Sequence, residues 1–215
     1  MKNSSISNNV IRRLPRYLRK LDDMIYHGVE RISSNELGAQ MGLTPSQIRQ
    51  DFSCFGEFGQ QGYGYNVKAL REAIANILGM NKQYSIILVG IGRIGHSLIA
   101  NFDFEHYGFR VESAFEIRKD LVGTKIGDIV VRDAEEQDAF IRENKIDIAI
   151  VSVPKRSAQR VTDSLIASGI KAIWNFTDVE VDTHDSGVKI ENIHFSDSLL
   201  SLSYYMSAGN GSADE

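Results

Sequence analysis

Ser85–Glu116 reads SIILVGIGRIGHSLIANFDFEHYGFRVESAFE, and the fold turns on this stretch. An apolar run, Ile86 to Val89, leads into a glycine pattern, Gly90-Ile91-Gly92-Arg93-Ile94-Gly95. An apolar helical segment follows, and a second strand-like run ends in Glu116. This is the layout of a βαβ unit that cradles a dinucleotide. Gly90 permits the tight turn, Gly92 lets the backbone approach a pyrophosphate, and Gly95 lets helix and strand pack closely. The pyrophosphate then rests on N–H groups at the helix start. A glycine loop alone is weak evidence. Here a strand precedes it, a helix follows it, and Glu116 stands 21 residues past Gly95, close to the spacing of about 20 at which an acid meets the ribose.

The chain has 215 residues, enough for one large or two small domains, and 42% of them are hydrophobic, as in an ordinary globular protein. A single cysteine, Cys54, excludes an internal disulfide framework and a cysteine-only metal site. The opening MKNSSISNNV has no apolar h-region, and no run of about 20 apolar residues stands out. The expectation is a cytoplasmic protein with no signal peptide, membrane span or metal. Net charge is −4, but it is unevenly spread. Residues 1–80 carry 10 basic and 7 acidic residues, net +3, whereas residues 81–215 carry 14 and 21, net −7. A basic front end on an acidic body suggests a division of labour.

Residues 1–9 and 209–215 are polar and are expected to be disordered. A helix is expected from Val10, with Ile11, Leu14, Leu18, Leu21 and Ile25 on one face and Arg12, Arg13, Arg16, Arg19 and Lys20 between them. Such a basic face is either solvated surface or phosphate contact. Ser33 and Glu36 form a capping box for a short helix that stops near Gly42. Thr44-Pro45-Ser46-Gln47 opens a second helix, with Thr44 as cap, Pro45 in the first turn and Gln47 closing another box. Two short helices across a tight turn make a helix-turn-helix. Ile48, Phe52 and Phe55 point one way; Ser46, Arg49, Gln50 and Ser53 point the other. A surface helix more usually displays Glu and Lys, whereas Gln pairs with adenine and Arg with guanine at base edges. Glycines and aromatics alternate over Gly56–Tyr65, as in a small hairpin wing with Gln60, Gln61 and Gly62 at its tip and Tyr63 beside it. Asn66 caps a further helix ending at Gly79, and Met80–Tyr84 is the linker. Cys54 is read as a buried thiol following Phe52 into the apolar side.

Beyond Glu116 the α/β rhythm continues. Strands are expected at Ile129–Val131, Asp147–Val153, Lys171–Phe176 and Val188–Ile193. Helices are expected at Ala134–Asn144, Ser157–Ser168 and Phe195–Met206. Pro154 breaks a strand at its carboxyl end, where open α/β sheets bind ligands. The nicotinamide end of a dinucleotide is therefore expected along Val151–Pro154, with Trp174–Phe176 beside it. Glu116 favours NAD(H) over NADP(H), because a carboxylate accepts ribose hydroxyls and repels a 2′-phosphate. Arg118 and Lys119, close by, are the residues that would instead accept such a phosphate.

The combination Arg13-Leu14-Pro15, Ser33-Ser34-x-Glu36-Leu37, Ile48-Arg49-x-Asp51-Phe52, Phe55-Gly56-x-Phe58-Gly59 and Gly62-Tyr63-Gly64-Tyr65-Asn66-Val67, ahead of the glycine loop, resembles the Rex family of redox-sensing transcriptional repressors. The resemblance covers roughly residues 10–206. It implies a homodimer that binds an inverted-repeat operator in double-stranded DNA and senses NADH against NAD+. It also implies a C-terminal helix swapped between subunits, with Phe195 reaching the partner's pocket. Four positions depart from the family pattern. Glu116 stands where Asp is commoner and Arg93 where Asn is frequent. Gln60 and Gln61 stand where the wing often carries Lys or Arg. His194 stands where some members have an Asp that pairs with the Arg at position 13.

The expected architecture is α/β. Residues 1–80 form a winged helix-turn-helix domain that binds DNA through Arg12, Arg13, Arg16, Ser46, Gln47, Arg49, Gln50, Gln60, Gln61, Gly62 and Tyr63. Residues 81–194 form a Rossmann-type domain that binds NADH or NAD+ through Gly90–Gly95, Glu116, Val153 and Pro154. Residues 195–215 are a dimerisation helix and tail. A small NAD-dependent oxidoreductase with an accessory front domain is the alternative. It lacks a recognisable proton donor, since none of His27, His96, His106, His184 and His194 lies in a segment that reads as catalytic. A third reading, a nucleotide-binding structural dimer without a DNA role, leaves the Ser46/Gln47/Arg49/Gln50 face unexplained.

Overall fold

A computed structural model of the chain describes residues 6–56, 58–60 and 63–209. It divides into two compact units, the first ending at Lys82 and the second beginning at Gln83.

In the first unit, α1 spans Asn8–Tyr26, so residues 8 and 9 are helical rather than disordered. Its buried stripe is Val10, Leu14, Tyr17, Leu18, Leu21 and Met24, while Ile11 faces solvent at 45% exposure. The stripe is rotated from the expected one because Tyr17 can be buried with its hydroxyl bonded, as described below. A short strand, β1 (Arg31–Ile32), was not anticipated; two residues carry no period to read. Helix α2 (Ser34–Met41) opens on the full capping box. Ser33 Oγ accepts the Glu36 amide at 3.1 Å, and the Glu36 carboxylate accepts the Ser33 amide at 2.9 Å. Gly42, at φ +67°, ends the helix in the left-handed conformation. Helix α3 (Pro45–Ser53) is capped by Thr44 Oγ1, which accepts the Gln47 amide at 3.2 Å. The Gln47 side chain returns no bond, so this is a single cap and not a box.

Strands β2 (Gly59–Gln60) and β3 (Gly64–Asn66) pair antiparallel, and β1 joins β3 to give the order β1-β3-β2. The expected tip residues Gln61 and Gly62 lie outside the described residues. Asn66 Oδ1 then accepts the Ala69 amide at 2.9 Å to start α4 (Val67–Ile77). The core between α1, α3, β3 and α4 is aromatic at its centre. Phe52 lies 4.9 Å from Tyr17 and 5.2 Å edge-on from Tyr65, centroid to centroid.

The second unit is a seven-stranded sheet in the order β10-β9-β8-β4-β5-β7-β6. The strands are β4 (Tyr84–Val89), β5 (Phe109–Glu116), β6 (Lys125–Ile126), β7 (Ile129–Asp133), β8 (Ile148–Val151), β9 (Ala172–Asn175) and β10 (Lys189–Asn192). All pair in parallel except β6, which turns back on β7 as a short hairpin that periodicity did not reveal. Taken from β4 in chain order, the six parallel strands have the doubly wound 3-2-1-4-5-6 arrangement. The helices are α5 (Arg93–Asn101), α6 (Gln137–Asn144), α7 (Lys155–Ala167) and α8 (Phe195–Gly209). Residues 134–136, expected as the first turn of α6, form a 3₁₀ turn. Separate apolar clusters fill the two faces of the sheet, one around Phe115, Val151 and Leu165 and one around Leu88, Ala114 and Ile150. Strand order reverses at β4, between β5 and β8. Val89 is paired with Phe115 on one side and Val151 on the other, so the Gly90 turn, Glu116 and Ser152 emerge together at one edge.

Candidate nucleotide cleft and nucleic-acid interface

At that edge lies a cleft of about 1610 Å³, larger than the roughly 300–1,000 Å³ of a typical small-molecule pocket. Gly90, Ile91, Gly92, Arg93, Ile94, Glu116, Val153 and Pro154 all line it. Gly95 lies buried behind the loop. Gly90 sits at φ +93°, which a side chain rarely adopts. A Cβ at Gly95 would stand 2.2 Å from the Gly90 carbonyl oxygen, so only glycine lets α5 press against the turn. At Gly92, which opens α5, a Cβ would meet nothing within 4 Å. That open space is on the helix start, where N–H groups await an anion. Ser152 Oγ donates to the Gly90 carbonyl at 2.8 Å and braces the turn from across the strand-order reversal.

Glu116 is 8% exposed, and its carboxylate is held by three amides. Oε2 accepts Ile91 N–H at 2.7 Å; Oε1 accepts Ile117 N–H at 2.8 Å and Arg118 N–H at 3.1 Å. Arg118 in turn donates to the Ile91 carbonyl at 2.7 Å. Glu116 and Arg118 thus clamp the two sides of one residue of the glycine loop. Lys119 is ion-paired with Asp133. Both cations that a 2′-phosphate would need therefore have partners already.

At the other end of the cleft, Phe176, Thr177 and Asp178 line the wall; Trp174 lies in the core and is not part of it. Lys155 at the start of α7 pairs with Asp178 at 2.7 Å, and His194 Nδ1 stands 3.6 Å from the same carboxylate. The Lys155 ammonium first, and the contact with His194 after it, hold the Asp178 carboxyl below the usual carboxylate range. Phe195 does not line the cleft of its own chain; it is exposed, 6.3 Å from Phe176 between ring centroids.

In the first unit, Ser46, Arg49 and Gln50 form an exposed face on α3, and Gln47 is half-buried at its edge. Arg49 donates to Ser34 Oγ at 2.9 Å and to Ser46 Oγ at 3.3 Å, which spreads its guanidinium along the N-terminal end of this helix. Arg12 and Arg16 are exposed on α1, and Tyr63 is exposed beside the wing. Arg13 has a different setting. Its Nε and Nη2 each donate to Asp51 at 2.7 Å, and Tyr17 donates to the same carboxylate at 2.8 Å. Asp51 is 1% exposed. Burial, followed by the bond to Asp51, pushes the Tyr17 phenol up, and the Asp51 bond raises Arg13. A guanidinium with Nε and Nη2 both on a buried carboxylate ties α1 to α3. That carboxylate lies in the same unit. Cys54 also departs from expectation. It is exposed, and its Sγ donates to the Gln50 carbonyl at 3.4 Å. The separation of four residues puts it on the face of Gln50, not of Phe52.

Sequence comparison found two family models. Residues 5–53 match "Putative DNA-binding protein N-terminus", and residues 81–179 match "CoA binding domain". The redox-sensing transcriptional repressor Rex of Clostridium tetani is 50% identical over 95% of this chain and 97% of its own. That of Clostridium acetobutylicum is 46% identical over 99% of both. The crystal structure of RSP in complex with β-NAD+ and operator DNA superposes with a TM-score of 0.90 at 46% identity, covering 96% of this chain and 95% of that one. The complex of RSP with β-NADH gives 0.90 at 43% identity, covering 96% and 97%.

Proposed function

The chain belongs to the Rex family of redox-sensing transcriptional repressors, and on that premise we propose that it is a cytoplasmic homodimer that holds an inverted-repeat operator until NADH occupies its cleft. The observation that carries this is the completeness of both halves on one chain. A glycine loop, a clamped Glu116 and an open Gly92 are joined to a helix-turn-helix whose exposed face is Ser46, Arg49 and Gln50. NAD(H) and operator DNA are what RSP binds in its crystal structures, and the residues here have the chemistry for both.

Ser46, Gln47, Arg49 and Gln50 would meet base edges, and Arg12, Arg16 and the wing beside Tyr63 would meet the backbone. Two copies of α3 one helical turn apart, about 34 Å, read an inverted repeat. Support for the dimer comes from α8. Leu199, Leu200, Leu202, Tyr204, Tyr205 and Met206 are all exposed, Leu200 at 68%. Six large apolar side chains exposed on one helix call for cover by another surface. A second copy of the chain supplies one without any further partner. Among the described residues no helix is long and apolar enough to cross a membrane, and no group of three or more His, Cys, Asp or Glu is placed to hold a metal ion.

The coupling must be differential. NADH has to bind more tightly to a form of the dimer that does not fit the operator, and NAD+ must lack that preference. The named relatives are repressors, and no observation favours the oxidoreductase alternative. The test is an operator titration, using a duplex selected in vitro with the nucleotide-free protein. NADH should release it at a concentration where NAD+ does not. Equal effects of the two nucleotides would sink the redox-sensing role.

A further inference from the structure

Eight polar or charged residues are buried in the described chain: Asp51, Ser113, Glu116, Gln137, Thr162, Ser168, Asn175 and Thr177. Six have their side chains hydrogen-bonded within the protein. Thr162 Oγ1 is unpartnered but closed off in the interior, away from the cleft. Gln137 is the other exception. It is 5% exposed, its carboxamide makes no hydrogen bond with any described residue, and it lines the cleft. A carboxamide has two donors and an acceptor with two lone pairs; this one opens only onto the cleft, so a molecule that fills the cleft and displaces its water must meet them or leave them unmet. The economical resolution is that a ligand meets them.

We infer that Gln137 reads the edge of the adenine ring of the bound dinucleotide, an assignment that rests on the NAD(H) reading of the cleft. Its position decides which part of the ligand it meets. Gln137 opens α6, directly after β7, and β7 pairs with β5. It therefore lies in the half of the fold that contains Glu116, the half that takes the adenosine. Glycine-loop amides serve the pyrophosphate and Glu116 serves the ribose, so the base is the part still without a polar partner. The surroundings suit a flat aromatic ring. Phe115, Ala134 and Val161 line the cleft with Gln137, and Ile117, directly after Glu116, is 72% exposed and offers an apolar face. Ser164, a hydroxyl in the cleft wall, already donates to Asp138 at 2.7 Å. A carboxamide matches adenine with two bonds: its oxygen accepts from the 6-amino group, and its N–H donates to a ring nitrogen.

The test compares AMP with purine riboside 5′-monophosphate, which lacks the 6-amino group, by calorimetry on the full-length protein, with NADH measured alongside. Wild type should prefer AMP about tenfold, the worth of roughly one hydrogen bond. Gln137→Met keeps the volume and removes the amide. It should bind AMP and the analogue alike and lose about tenfold or more for NADH. Gln137→Glu keeps the acceptor but loses the donor, and should also fall below wild type for AMP. If wild type binds NADH but does not distinguish AMP from the analogue, or if Gln137→Met retains the full preference, the assignment to Gln137 is wrong while the cofactor reading stands. If wild type binds neither NADH nor AMP, both fall together. An equal loss for AMP and analogue in Gln137→Met, with the preference intact, marks a structural role and also overturns the inference.

Discussion

Gly92 caps α5 and Gly95 lies in its first turn, and their substitution should separate ligand binding from folding. At Gly92 the backbone is at φ −80° and ψ −167°, open to any residue, and a Cβ would find nothing within 4 Å. Gly92→Val therefore costs the fold only the difference between glycine and valine at a helix N-cap, about 1 kcal/mol. For a chain of this size that is about 2–4 °C in the unfolding midpoint. The new side chain stands in the space a pyrophosphate needs. Losing two charge-assisted bonds from the loop amides, at roughly 1.5–3 kcal/mol each, weakens NADH by about two to four powers of ten. At Gly95 the order reverses. A Cβ would stand 2.2 Å from the Gly90 oxygen, 2.8 Å from Ser152 Oγ and 2.9 Å from Leu88 Cδ2. Gly95→Ala forces the helix off the turn and strains the Ser152 brace, at about 1–3 kcal/mol or more. Calorimetric titration with NADH, thermal unfolding and operator binding together check the pair. The expected Gly92→Val protein is folded, binds operator and ignores NADH. Wild-type NADH affinity in Gly92→Val would refute this placement of the cofactor, and a Gly95→Ala protein as stable as wild type would refute the packing of α5 on the turn.

Arg49→Ala should cost about 1–3 kcal/mol of operator affinity if Arg49 reads a base; competition with scrambled duplexes checks whether the loss is specific to sequence. Arg13→Ala should lower the stability of the first unit by about 3–5 kcal/mol, because it strands the buried Asp51 carboxylate with only Tyr17. Chemical denaturation measures this, and a loss confined to DNA affinity would instead make Arg13 a phosphate ligand. Placing Asp at both Leu199 and Leu202 on α8 should shift the protein towards monomer in sedimentation equilibrium and weaken operator binding; an unchanged dimer would put the interface elsewhere.

What the sequence disclosed best was whatever is local. The Ser33–Glu36 box, the Thr44 and Asn66 caps and the glycine loop each span a few residues, and each is built from residue types with one dominant use. The contacts that hold each unit together are of another kind. Arg13 and Asp51 are 38 residues apart, and Ser152 is 62 from the carbonyl it braces. Neither pairing leaves a periodic trace, so Arg13 read as one more member of a basic face. Gln137 was hidden for the same reason: an amphipathic helix start gives no sign that its side chain lines the cleft. Cys54 was misplaced by a local error, since helical spacing groups it with Gln50.

Glu116 shows how a ligand-free cleft can already be selective. Its longer side chain, compared with Asp, reaches back to the Ile91 amide while still accepting from Ile117 and Arg118. The carboxylate is thus fixed before any ribose arrives, and Oε2, which accepts only the Ile91 amide, keeps lone-pair capacity for a hydroxyl. Fixing it also consumes the nearest cation, because Arg118 completes the clamp through the Ile91 carbonyl. On the proposed reading, a 2′-phosphate entering this site meets a buried anion, with Arg118 and Lys119 both committed elsewhere. Recruiting Arg118 to the phosphate would release the glycine loop on which the pyrophosphate depends. Selectivity for NAD(H) over NADP(H) then follows from the loop's own bracing as much as from charge repulsion, and weakening the brace should erode affinity and selectivity together.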